Sequence, residues 1–375
     1  MRIPVSSPSI TDVEVNYVRD AVRSGWISGS KGEFISRFEK EFSNLCGTKY
    51  GVACSSGTAA LQLATLTIRL KPGDQVIVPT FTNIATVLAV IYAGATPVLI
   101  DSDPQIWGMD ANGLDQKITP KTKAIIPVHI YGHPVDMSKV MKTASEYGLT
   151  VIEDAAEAHG AEYKGQKIGG IGDMGCFSFY ANKIVTTGEG GMIVTNNGKA
   201  AKKMRILANL AYSDAERYRH SQLGYNYRMS NILAALGCAQ LMRIDRLVEF
   251  KRSLAFRYNS HLSRTPGVHT PVEMPWAKSV YWMYGIVLDE SFGMLRDQLR
   301  QFLSARGIET RGFFYPMHRQ PVFQRLGMFK GERYRIAERL SQWGLYLPSG
   351  FDMSRENVQY VSDCVKEAHE KAAKR

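Results

Sequence analysis

Nothing in this chain is spaced for stapling by disulfides or metal. Its five cysteines (Cys46, Cys54, Cys176, Cys238 and Cys364) are odd in number, scattered, and never arranged C-x-x-C. That excludes a disulfide framework and a thiolate zinc site, and it points to a reducing compartment, the cytoplasm. The eight histidines also lack metal-ligand spacing, so no metal is expected. Long apolar runs are missing too. The most apolar stretch, 86–100, is broken by Gly94 and Pro97, and it falls short of the roughly 20 residues a membrane span needs. No basic n-region leads into an apolar run and a small-residue cleavage site, so neither a secretory signal nor a membrane partner is expected. Internal repeats and low-complexity segments are absent from the sequence as well.

What is present is ordinary in bulk and informative in detail. The 375 residues are 45% apolar and 22% charged, a globular composition with length enough for two domains. The net charge of +11, from 46 Lys and Arg against 35 Asp and Glu, suits an anionic partner. The basic residues are spread along the chain and not gathered into an arm, which favours a phosphorylated small molecule over nucleic acid.

Strand-like segments at Tyr50–Cys54, Gln75–Pro79, 96–101, 124–130 and Thr150–Asp154 alternate with helical patterns at 59–68, 83–92 and 136–147. Such alternation predicts an α/β fold with a mostly parallel central sheet covered by helices on both faces. Two further short strands, 176–180 and Gly191–Thr195, follow. Helical patterns at 230–241 and 245–262 then lead out of a large domain placed at 1–245. In the remaining 246–375 a smaller α+β domain is expected. It has a strand at 280–288, a helix at 296–305, and a last helix capped by Ser354 with Val358, Val361, Val365 and Ala368 on one stripe.

The chemistry centres on one lysine. Phe177-Ser178-Phe179-Tyr180-Ala181-Asn182-Lys183 runs from an apolar strand into the glycine-rich turn Thr186-Thr187-Gly188-Glu189-Gly190-Gly191. Lysines are seldom buried without a partner, and an amine held in such a place can lose its proton and attack a carbonyl. The alternative is a covered stem with its ammonium in water. A P-loop is excluded, because the order G-x-x-x-x-G-K-[ST] is missing. Three other elements bear on the choice. Ser56-Gly57-Thr58 sits at a strand-to-helix turn, where free N–H groups hold anions. Val151-Ile152-Glu153-Asp154-Ala155-Ala156-Glu157 ends an apolar strand in carboxylates, at the edge where parallel sheets bind ligands. Ser178 precedes the lysine by five residues. A phosphate cradle, a carboxylate for a ring nitrogen and a Schiff-base lysine together describe the needs of pyridoxal 5'-phosphate.

These motifs, with Gly25-Trp26-Ile27-Ser28 and Gly224-Tyr225-Asn226-Tyr227-Arg228-Met229-Ser230-Asn231, resemble the DegT/DnrJ/EryC1/StrS sugar aminotransferases over nearly the whole length. The resemblance implies fold type I of the pyridoxal-phosphate enzymes, the aspartate-aminotransferase fold. It implies that Lys183 forms the Schiff base and shuttles the proton, and that Asp154 pairs with the pyridine nitrogen. Glu157 would lie near the phenolic oxygen, while Gly57, Thr58 and Ser178 would bind the phosphate. Asn226 would reach the phosphate of a neighbouring subunit, making the active unit a homodimer with shared sites. One departure stands out: many relatives carry an aromatic residue, stacked on the cofactor ring, where this chain has Asn83.

The implied reaction moves an amino group from L-glutamate to a nucleotide-linked 4-keto-6-deoxy sugar, foremost GDP-4-keto-6-deoxymannose. UDP- or dTDP-linked keto-sugars, aminated at C3 or C4, are the alternative. His318, in Phe314-Tyr315-Pro316-Met317-His318, either meets the sugar or is an ordered loop histidine. Trp26 either walls the sugar pocket or packs. His129 and Trp282 are expected in the core. Related dehydratases replace the lysine by histidine, so Lys183 speaks against that chemistry. A regulatory or sensor protein is the alternative from outside the enzymes.

Overall fold

The computed structural model describes residues 2–29, 32–212 and 218–374. Its central sheet has seven strands: β1 (Tyr50–Cys54), β2 (Gln75–Pro79), β3 (Thr96–Ile100), β4 (Thr122–Ile125), β5 (Thr150–Asp154), β6 (Met174–Ser178) and β7 (Gly191–Thr195). Their spatial order is β1-β7-β6-β5-β4-β2-β3. Every pairing from β6 outward to β3 is parallel, whereas β7 runs antiparallel to both β1 and β6. Consecutive residues Val76, Ile77 and Val78 of β2 are all fully buried, so both faces of the sheet are covered.

The register places the functional ends side by side. Gly191 of β7 lies opposite Cys54 of β1 on one side and Ser178 of β6 on the other. Asp154, the last residue of β5, pairs with Cys176 of β6. The turns after β1, β5 and β6 therefore open at one edge of the sheet.

The N-terminal helices Asp12–Arg23 and Glu33–Leu45 pack on the helix Asn231–Leu241. Phe34, Phe38 and Phe42 recur every four residues, which puts them on one helical face. Phe42 meets Phe177 edge-on at 4.7 Å and Phe179 at 5.1 Å. Truncating Phe42 to alanine is expected to cost about 3–5 kcal/mol.

A second, antiparallel sheet has the order β8-β9-β11-β10, with β8 (Val268–His269), β9 (Tyr284–Leu288), β10 (Arg311–Gly312) and β11 (Gly344–Leu347). It shares a separate core with the helices Ile244–Leu262, Arg296–Ser304 and Arg355–Ala373, including Tyr258, Leu299 and Val361. The chain start joins this core as well. Ile3 N–H donates to Gly307 O at 2.8 Å and Ile3 is buried there, a contact that a boundary at residue 245 does not anticipate. Among the described residues, no helix is long and apolar enough to cross a membrane.

Two predicted strands are shorter than their apolar runs. The run 124–130 is a continuous strand only to Ile125, since Pro127 has no N–H to donate, and pairing resumes at Val128, which bridges Asp154 of β5. The run 280–288 becomes a strand only at Tyr284. Tyr281 has a left-handed backbone (φ 46°) just before Trp282, which lines the cavity described next.

Candidate active site

A cavity of about 360 Å³ opens at the carboxyl edge of the parallel strands. Lys183, Asp154, Glu157, Gly57, Thr58, Ser178 and Asn83 all line it, so seven of the residues singled out from the sequence meet in one place.

The floor begins with the turn after β1. Ser56 caps the helix Gly57–Thr67, its Oγ accepting the Ala59 N–H at 3.1 Å. The N–H groups of Gly57 and Thr58, in the first turn, have no intrahelical acceptor by position and carry the positive end of the helix dipole. Gly57 is required by close approach: a Cβ there would lie 2.6 Å from the Ser178 Cβ. The two segments thus form a narrow cradle with hydroxyls from Thr58 and Ser178, suited to a phosphate.

Asp154 and Glu153 are adjacent in β5 and point to opposite faces. Glu153 is fully buried and accepts N–H bonds from Gly169, Ile171 and Gly172 at 2.9, 2.9 and 2.7 Å. His129, also fully buried, takes the Val135 N–H on Nδ1 (3.1 Å), so its Nε2–H donates to Glu153 Oε2 at 3.2 Å. Asp154 has less support, from the Thr86 hydroxyl at 2.7 Å and the Ala156 N–H at 3.2 Å. Thr86 accepts in turn from Thr82 at 2.9 Å. Burial pushes the Asp154 carboxyl above its ordinary value, although these hydrogen bonds and the charge of Lys183 oppose the shift. A buried carboxylate with no ion-pair partner among the described residues, facing a cavity, calls for a cationic N–H donor on the ligand.

Lys183 is 8% exposed. Its Nζ lies 3.8 Å from Glu157 Oε1 and 3.6 Å from the centre of the Trp282 ring. The other Glu157 oxygen accepts the Tyr131 N–H at 2.8 Å. Tyr131 holds a left-handed backbone (φ 52°), a strained conformation for a residue with a side chain, and this conformation aims its N–H at Glu157. Burial drives Lys183 down from its ordinary value, against the attraction of Glu157 and Asp154. Burial likewise raises Glu157 to about 7. The pair therefore leans toward a neutral amine and a neutral acid, the state in which an amine can act as a nucleophile and base. Together the cradle, the unpaired Asp154 and the neutralised Lys183 fit pyridoxal phosphate.

His318, Asn226 and Trp26 do not line this cavity. His318 is 1% exposed, with Nδ1 2.8 Å from Thr80 Oγ1 and Nε2 3.0 Å from Glu338 Oε1. Both ring nitrogens are occupied by protein, so it is not available to a sugar in this arrangement. Asn226 is exposed and bridges to Asn209, and Trp26 is 55% exposed. Neither lines the cavity of its own chain. Asn83 does line it, but its Oδ1 caps the helix Ile84–Tyr92 by accepting the Ala85 N–H at 3.0 Å. That cap is a local reason for the asparagine.

Trp282 is in the core as expected, and it lines the site as well. The left-handed turn at Tyr281 carries it there, and no periodicity in the run 280–288 reveals that turn. Thr82 and Thr86 were not singled out either. Their signal is the four-residue spacing that puts both hydroxyls on one side at the start of a helix. The second sheet supplies Arg311, Gly312 and Tyr346 to the wall.

Comparison with known proteins gives the same picture. Residues 8–366 match the DegT/DnrJ/EryC1/StrS aminotransferase family. The GDP-perosamine synthase of Caulobacter vibrioides is 44% identical over 361 residues, covering 96% of each chain. That of Escherichia coli O157:H7 is 42% identical, covering 97% of this chain and 98% of its own. Among solved structures, Streptomyces venezuelae DesV in complex with a ketimine intermediate superposes with a TM-score of 0.90 at 34% identity, over 98% of this chain and 99% of that one. The sheet is thus that of fold type I, and the chain belongs to the DegT/DnrJ/EryC1/StrS aminotransferases, enzymes that work with pyridoxal phosphate.

Proposed function

We propose that the chain transfers the amino group of L-glutamate to C4 of GDP-4-keto-6-deoxymannose, giving GDP-perosamine. The observation that carries this reading is the near full-length similarity to two GDP-perosamine synthases, in a chain whose cavity holds Lys183, Asp154 and the Gly57–Ser178 cradle together. A basic chain of +11 suits a diphosphate-linked substrate, and Arg311 at the cavity wall offers it a guanidinium.

In this reading Gly57, Thr58 and Ser178 hold the cofactor phosphate, Asp154 pairs with the ring nitrogen, and Lys183 carries the group covalently. When bound, pyridoxal phosphate supplies an electron-accepting ring for the charge left on the substrate carbon. Asp154 keeps a proton on the ring nitrogen, helped by the Thr82–Thr86 hydroxyl chain that fixes its orientation. Once the donor amine has displaced it from the group, Lys183 Nζ, neutral because buried, would take the proton from the donor's α-carbon and hold it beside the ring for return across the nitrogen. Glu157, held by the Tyr131 N–H, stores or yields a proton beside it.

The proposed active unit is a homodimer. Asn226 and Trp26 are exposed and lie off their own chain's cavity, so a role for either at a site needs a second copy. The proposed compartment is the cytoplasm, in keeping with five free, buried cysteines. Incubation with glutamate and a panel of nucleotide-linked 4-keto-6-deoxy sugars, read by product mass, tests the assignment. Amination of the GDP-mannose derivative is expected, and turnover only with a UDP- or dTDP-linked sugar would refute it.

A further inference from the structure

Two buried side chains next to the site have no part in this chemistry so far. Lys251, in the middle of the helix Ile244–Leu262, is 1% exposed. Its ammonium donates to two carbonyls, Trp282 O at 3.2 Å and Ser349 O, and lies 4.6 Å from the centre of the Phe351 ring. Among the described residues it makes no ion pair; Asp352, from the next loop, acts on it only at a distance. Burial lowers it to about 7. A lysine so placed is costly unless its donors are used, and here one of them goes to the backbone of the residue that touches Lys183.

Trp282 is fixed at both ends. Its carbonyl is held by Lys251, while its indole Nε1–H donates to Asn182 O at 2.7 Å, the carbonyl immediately before Lys183. The neighbouring backbone is clamped as well. Val280 N–H donates to Gly132 O at 3.1 Å, Tyr284 N–H to Ser349 Oγ at 2.9 Å, and between them Tyr281 is held left-handed. A strained turn persists only where its surroundings over-determine it. What this turn achieves is to set an indole face 3.6 Å from Nζ of Lys183.

We propose that Trp282, positioned by Lys251, is a cation–π partner of Lys183 that sets the pH at which Lys183 becomes a free amine. An aromatic face favours the charged amine, opposing the desolvation that favours the neutral one. The groups acting on Lys183 are then Glu157 at 3.8 Å, Asp154 further off, neutral His159 behind the sheet edge, and the indole. This assignment rests on Lys183 being the lysine that takes the cofactor, and it is independent of which sugar is aminated.

The test is the pH midpoint for covalent capture of pyridoxal phosphate by the apoprotein, followed by visible absorbance and by the mass of the borohydride-trapped adduct. Trp282→Leu is expected to lower the midpoint by about half a unit to one unit, and Trp282→Phe by less in the same direction. Lys251→Met is expected to lower it also, with no further change when combined with Trp282→Leu. Phe351→Leu, which removes the ring beside the Lys251 ammonium, gives a smaller drop and decides the role of Lys251 if Lys251→Met does not fold. A midpoint that stays put or rises in Trp282→Leu overturns the cation–π assignment, since rising is what water entering the site would cause. Additive shifts in the double variant, or no shift in Phe351→Leu, remove Lys251 from it. Trapping on a residue other than Lys183 would instead overturn the underlying cofactor assignment, whichever way the midpoint moves.

Discussion

Glu153 and Asp154 are neighbours in one strand, equally buried and of equal charge, yet their surroundings differ in kind. On the closed side of the sheet, Glu153 takes three backbone N–H bonds and an imidazole N–H, which uses its acceptor sites on protein. On the open side, Asp154 has one hydroxyl and one N–H and faces a cavity. Complete hydrogen bonding makes a buried carboxylate a structural part, ordering the 169–172 turn. Incomplete bonding leaves its partner to come from a ligand. The difference teaches that charge and burial together do not mark a functional acid; the count of satisfied acceptors does.

Substitutions on the two sides should separate activity from stability. The largest effect is expected from Asp154→Asn, which should cut turnover about a hundred- to a thousandfold, by steady-state kinetics, while leaving the urea midpoint unchanged or raised. Glu153→Gln should do the reverse, with stability falling by about 3 kcal/mol in urea titrations and turnover per folded molecule kept. A Glu153→Gln enzyme that is stable but inactive would erase the contrast.

His159 sharpens the closed side. Fully buried among Phe42, Phe177 and Phe179, it is held neutral by burial, down to about 3. The unfolded chain takes up that proton near its ordinary value of 6.5 and the folded chain does not, so folding stability falls as pH drops. Between pH 8 and pH 5 the loss from this one group is about 2 kcal/mol, and His159→Phe should abolish that share of the acid sensitivity in pH-dependent urea unfolding. The smallest effect is expected from Thr86→Val. It removes the hydroxyl on Asp154, costs about 1 kcal/mol, and should slow turnover about fivefold, as single-turnover rates would show.

Much of the large sheet is legible in the sequence because its strands are short apolar runs bounded by turn residues. Tyr50–Cys54, Gln75–Pro79, Thr150–Asp154 and Gly191–Thr195 match residue for residue. Lys183, Asp154 and Gly57 are legible for a related reason: Asp154 ends a strand, and Gly57 and Lys183 lie shortly after the ends of β1 and β6. What stays hidden depends on backbone turns without a local signal. Trp282 lies in an apolar run that reads as one strand, and only the conformation of Tyr281 diverts it. His318 misleads in the opposite sense: its neighbourhood resembles a substrate loop, while its ring is used up by Thr80 and Glu338, which are distant in sequence. The antiparallel placement of β7 is equally silent in the chain, since strand direction is set by connections and not by composition.

The contact between Gly57 and Ser178 has a consequence for assembly. The two halves of the anion cradle come from segments more than a hundred positions apart in the chain, joined only when β7 has inserted between β1 and β6. A chain in which β7 has not inserted between β1 and β6 does not bring the two halves together. Capture of the phosphate by both halves therefore requires that β1, β7 and β6 be assembled. By mass action it also draws the folding equilibrium forward, about 2.7 kcal/mol at a hundredfold excess over the dissociation constant. A group held in that cradle would tie the sheet edge together as well as serve the chemistry of the site.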